Sequence, residues 1–163
     1  MTSFKDALLA FINTKSDAER KALEPKLKKL RKWQTLPPMS VLRKMAELLK
    51  SHPSIPAPVK LYHRTTAAAA KSILADGFRD AKCTYGSTRM HRGVWLSDVP
   101  LDVNEGADGD ILLCVTLACD GERIQNFEWV EVGKPYREWL VPAVSLKPLI
   151  SSIEIVTRLH TSG

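Results

Sequence analysis

Apolar positions recur with a helical period over the first fifty residues. Phe4, Leu8, Phe11 and Ile12 share one face of a first helix, which Ser3 is placed to cap. A second segment puts Leu23, Leu27 and Leu30 on one face and Lys21, Lys28, Lys29, Arg31 and Lys32 mostly elsewhere. Pro25 reads as a first-turn proline of that helix, and Pro37 and Pro38 end it. A third helix follows Ser40, its candidate cap, with Val41, Leu42, Met45, Leu48 and Leu49 as the apolar side. Pro53, Pro56 and Pro58 then forbid helix and favour an extended path.

Beyond residue 58 the pattern changes. Residues 59–63 read as a strand, and Thr65 or Thr66 caps a helix through AAAAKSILAD that Gly77 stops. Residues 79–92 are polar and irregular. Residues 93–97 (GVWLS), 110–117 (DILLCVTL), 137–141 (REWLV) and 150–157 (ISSIEIVT) read as further strands. One early helix among several strands makes this part α+β. The predicted organisation is a helical region 1–52, a proline-rich linker 53–58 and an α+β domain 59–163.

At 163 residues the chain can bury a core without disulfide staples. Its three cysteines, Cys83, Cys114 and Cys119, form no CxxC pair, which argues against a disulfide scaffold or a zinc ribbon. Reduced thiols fit a cytoplasmic protein. No apolar run approaches the roughly 20 residues of a membrane span, and Asp6 precedes the first apolar stretch, unlike a secretory signal. No membrane partner is therefore expected.

Charge divides the chain as the periodicity does. Residues 1–59 hold 12 Lys and Arg against 5 Asp and Glu, whereas residues 60–163 hold 12 against 13. The stretch RKALEPKLKKLRKW can serve as a nucleic-acid contact face, with Trp33 at its edge to stack on a base. It can equally be a solvated helix face, or meet an acidic protein.

Several catalytic signatures are missing: GxGxxG after a strand, a Walker A loop, HExxH, and a GxSxG elbow around Ser97. Cys83, His91 and His63 match no standard metal spacing, so no metal is expected. Three short blocks remain: LYHRTT at 61–66, GVWLSD at 93–98 and YREWLVPA at 136–143. Each sets a polar or ionisable residue inside an apolar, strand-like run, where burial is costly unless the group has a purpose.

In this order and spacing the blocks resemble the ADP-ribosyltransferase superfamily, and most closely its His-Tyr-Glu branch, which includes the poly(ADP-ribose) polymerases. The resemblance covers residues 59–157. It implies a split β-sandwich of two small angled sheets with NAD held in the cleft between them. Glu138 matches the catalytic glutamate, His63 the first-strand histidine that bonds the adenosine ribose, and Trp95 stands where the family has its tyrosine, keeping the stacking face without the hydroxyl. Arg64 replaces the glycine that commonly follows the histidine. The resemblance thus implies catalysis by Glu138, His63 and Trp95, and an NAD site drawing on His63, Arg64, Thr65, Trp95, Ser97 and Arg92, with Arg64, Arg89 or Arg92 on the pyrophosphate. Glu131 and Asp98 are rival acids. The implied activity is transfer of ADP-ribose from NAD to a macromolecular acceptor, nucleic acid or protein, or hydrolysis of NAD. An RNA 2′-phosphotransferase of the same fold and a non-catalytic nucleic-acid-binding module are the alternatives.

Overall fold

The computed structural model describes residues 4–53, 55–84 and 90–156. Two compact units emerge. The first holds the chain up to Pro53 together with Thr84, Met90, His91 and Val130–Lys134; the second holds the remainder. The division falls after Pro53 rather than at residue 58, because Ile55 already packs in the second core and its carbonyl accepts the Gly121 N–H.

The first unit is three helices, α1 (Phe4–Asn13), α2 (Asp17–Arg31) and α3 (Met39–Ser51). Its core gathers Phe4, Leu8, Phe11, Leu27, Leu42, Met45 and Leu49, and Val130 joins it. Three local expectations change. First, α2 starts at Asp17, capped by the Ser16 side chain, so Pro25 lies in the helix interior rather than its first turn. Second, the inward face of α2 runs from Leu27 to Arg31, four residues on, and Leu30 is 41% exposed. The Arg31 guanidinium sits 4.1 Å from the centre of the Phe4 ring and is the one basic group of α2 to be buried. Third, α3 begins at Met39 behind Pro38, ahead of Ser40. Ser3 as a cap lies outside the described residues.

The second unit is built on an antiparallel sheet of six strands: β1 (Val59–Thr65), β2 (Ala81–Cys83), β3 (His91–Ser97), β4 (Ile111–Leu117), β5 (Glu138–Val141) and β6 (Ile150–Ile155). The order is β2-β3-β1-β4-β6, with β5 also paired to β3. Thr66 caps α4 (Ala67–Asp76) through its hydroxyl, and Gly77 ends it at φ +84°. The one-turn α5 spans Ala143–Leu146. Mixed helix and sheet agree with the α+β expectation. The short β2 falls where an irregular segment was predicted.

Alternation along the strands fixes two faces. Val59 and Leu61 of β1, Val94 and Leu96 of β3, Val115 and Leu117 of β4, and Trp139 and Val141 of β5 form one buried core. Between them come Tyr62, Trp95, Ser97, Cys114 and Glu138 on the other face. Among the described residues no helix is long and apolar enough to cross a membrane, and the three cysteines are unbridged.

Candidate functional site

Strand β3 is the centre of the site because it lies beside both of the other blocks. Ser97 is paired with Tyr62 of β1 and with Glu138 of β5. Tyr62, Ser97 and Glu138 therefore make one row across three strands, and Trp95, two residues from Ser97, lies on the same face. Sequence positions 62 and 138 come to lie in one row, two strands apart, through strand pairing alone.

Glu138 is only 6% exposed. Arg137 turns to Glu128, its Nε and Nη2 each 2.9 Å from a different carboxylate oxygen. The backbone of the same segment is tied to β5, since the Trp129 N–H donates to the Glu138 carbonyl at 2.7 Å. The rival acids are engaged elsewhere: Asp98 accepts the Arg137 N–H at 2.9 Å, and Glu131 pairs with Lys134 at 3.1 Å.

The half-buried Trp95 is held on two sides. Its indole N–H donates to Cys83 Sγ at 2.9 Å, and its ring meets Trp129 edge-on with centroids 5.3 Å apart. The Ser97 hydroxyl is buried and donates to the Val99 carbonyl at 2.6 Å.

His63 does not share this face. By alternation it follows Val59 and Leu61, opposite Leu113 of β4. Its Nδ1–H donates to the Trp95 carbonyl at 2.8 Å, and its ring stands edge-on to Phe78. There it lines a cavity of about 230 Å³ under α4, with Thr65, Ser72, Ile73, Gly77 and Trp95 among the other walls. Glu138 is not among the lining residues. His63 thus touches the Trp95 backbone from behind, and its convergence with Glu138 on one face is not what the strands provide.

Burial holds His63 below the ordinary histidine range, outweighing its bond to the Trp95 carbonyl. His91 is lowered too, by burial and then by Lys32 and Arg31. The unfolded chain therefore takes up protons that the folded one resists, so stability is full above the unfolded histidine value of about 6.5 and falls as pH drops below it. The thermal midpoint should decline between about pH 7 and 5. In His63→Asn, which keeps a donor for the Trp95 carbonyl, the decline should be shallower, leaving the His91 part. An unchanged slope would assign the effect to His91 alone.

Arg64, expected at a pyrophosphate, donates from Nε to the Leu101 carbonyl at 2.6 Å and from Nη1 to the Gly109 carbonyl at 3.2 Å. It laces the loop between β3 and β4 onto the end of β1. Gly109 makes this approach possible: at φ +115°, a Cβ would stand 2.2 Å from the Thr65 carbonyl carbon. Gly109→Ala should destabilise by about 2–3 kcal/mol, read as a lowered denaturation midpoint. A midpoint equal to wild type would mean the loop relaxes freely.

Arg92 is exposed on β3, and Arg89 lies outside the described residues. Among the described residues no group of three His, Cys, Asp or Glu side chains could hold a metal ion. Tyr62 and Trp129 escaped the sequence reading, as did the contacts of Cys83 with Trp95 and of Glu128 with Arg137. The contacts of Cys83, Glu128 and Trp129 run between elements and leave no local spacing, and Tyr62 joined the row only through strand register. Compared with protein-family models, with curated proteins and with solved structures, the chain matches nothing.

Proposed function

We propose that the chain cleaves the nicotinamide–ribose bond of NAD and transfers ADP-ribose to a macromolecule or to water, as an ADP-ribosyltransferase-type enzyme. The observation that carries this reading is the row Tyr62–Ser97–Glu138, which brings the three sequence blocks together and sets a buried carboxylate on the face that carries Trp95. Nicotinamide leaves with the electrons of its bond to ribose, and positive charge develops on the sugar. The Glu138 carboxylate stabilises that charge and orients the incoming hydroxyl. Trp95 offers a flat wall for the departing ring. His63, neutral and hydrogen-bonded to the Trp95 carbonyl, supports the wall from the opposite side.

The opposed faces of His63 and Glu138 favour a second reading, a module that binds without catalysing. The 2′-phosphotransferase alternative needs basic groups aimed at the substrate, and Arg64 is committed to the loop.

NAD labelled in its adenylate half, incubated with the folded protein and cell lysate, separates these readings. Label entering the protein, RNA or DNA fraction, or release of free nicotinamide, is expected. Neither, from protein with native circular dichroism, would overturn the enzymatic reading and leave the binding module.

A further inference from the structure

Seven basic residues and no acidic ones occur between residues 25 and 46: Lys26, Lys28, Lys29, Arg31, Lys32, Arg43 and Lys44. They cover the C-terminal half of α2 and the first half of α3, two helices joined by the short turn 32–38. At about 100° per residue, Lys21 and Lys28 fall within about 20° of one another on α2, and Lys29 and Lys26 widen the arc to about 160°; Lys32, the left-handed cap just beyond the helix, donates to the Met90 carbonyl. That arc lies opposite the face through Leu27 and Arg31 that is buried.

Two of the three acids of α2 stand apart from this surface, and the third, Glu24, meets it at Lys28. Asp17 and Glu19 are in its first turn, where Asp17 pairs with Arg20 and Glu19 accepts from Thr14, while Glu24 pairs with Lys28. Helix stability accounts for basic residues at the end of α2, where the helix dipole favours cations. It does not account for Arg43 and Lys44, exposed in the second turn of α3, where the dipole offers a cation no stabilisation.

We infer that the C-terminal half of α2 and the N-terminal half of α3 form a surface that binds the phosphate backbone of nucleic acid without reading its sequence. Lysines are point charges suited to phosphates. Arg31 is spent on Phe4, and Trp33 packs edge-on against the same ring at 5.8 Å, so neither supplies a base-reading fork or stacking platform. A membrane surface fits less well, because the apolar face of α2 that would insert is in the protein core. The inference is independent of any chemistry at Glu138, since binding is read without NAD.

Full-length protein titrated into a fluorescein-labelled mixed-sequence 30-mer, duplex DNA or single-stranded RNA, gives the test by anisotropy across a salt series. Wild type should bind both, with affinity falling steeply as salt rises. Lys26→Glu/Lys29→Glu/Lys44→Glu should lose about tenfold or more in affinity at about 0.1 M salt, and its salt slope should be shallower by about three. The comparison variant Lys60→Glu/Lys71→Glu/Lys147→Glu makes the same change in net charge on exposed residues of the second unit, and should bind as wild type does. Equal losses from the two triple variants would overturn the inference, since net charge alone would then explain binding. So would wild-type protein that binds vesicles containing phosphatidylserine and neither nucleic acid. If the first variant fails to fold, single Lys→Gln changes at positions 26, 29 and 44 keep the test, each lowering the slope by about one; unchanged slopes in all three would again overturn it.

Discussion

Glu138→Gln should lower nicotinamide release and ADP-ribose transfer by about a hundredfold or more while NAD affinity changes little. That loss corresponds to about 2.7 kcal/mol of transition-state stabilisation. Glutamine keeps the size of the side chain and its capacity to accept a hydrogen bond, but it cannot oppose a developing positive charge. The effect is expected to be large because Glu138 is buried: away from water, a carboxylate acts on a nearby charge with less screening. Its backbone is set by pairing with Ser97 on one side and by the Trp129 N–H on the other, so little reorganisation is needed at the moment of bond cleavage. The variant is to be compared with wild type under saturating and limiting NAD, after circular dichroism has established that both are folded. Equal turnover would remove Glu138 from the chemistry. Glu128, Glu131 and Asp98 are each held by a neighbouring cation or N–H, so such a result would favour binding without catalysis over a substitute acid.

The elements were legible in the sequence where they depend on neighbours in the chain. The α4 helix follows from Thr66 and an alanine-rich run, and β4 follows from seven apolar or β-branched residues in a row. Pro25 misled because its tolerance in a first turn is a local rule, whereas packing by Leu27 and capping by Ser16 carry α2 through it. In the candidate site, Glu138 and Trp95 stood out as polar or aromatic residues within strand-like blocks. What could not be read was which residues face each other. A one-residue difference of parity puts Tyr62, not His63, in the row with Ser97 and Glu138, and the sequence LYHRTT contains no sign of that register. The destination of Arg64 was hidden for a similar reason: its partners are two backbone carbonyls in a loop some forty residues away, made reachable by a glycine at positive φ.

The Arg137–Glu128 pair should matter more to folding than any single apolar contact in the second unit. The Glu128 side chain is 1% exposed and that of Arg137 14%, and two parallel hydrogen bonds join them. The guanidinium also lies 5.0 Å from the centre of the Trp139 ring. Removing the cation alone, as in Arg137→Met, strips a buried carboxylate of its bidentate partner and should cost about 3–5 kcal/mol. Glu128→Gln retains an acceptor for the guanidinium and should cost about 1–2 kcal/mol. The double variant Arg137→Met/Glu128→Leu removes both charges from the interior and should recover most of the loss of Arg137→Met, since well-packed apolar groups can replace a buried ion pair at little net cost. Urea denaturation of these proteins together with Glu128→Leu closes the cycle. Additive losses, with the double variant less stable than either single one, would mean that the two residues act separately and that the pair is not a unit. The same double variant also serves the chemistry. Folded and with Glu138 intact, it should retain measurable NAD cleavage if the ion pair only ties the segment of Glu128 and Trp129 to β5. Loss of all cleavage from that folded protein would instead give Arg137 or Glu128 a direct part in the reaction.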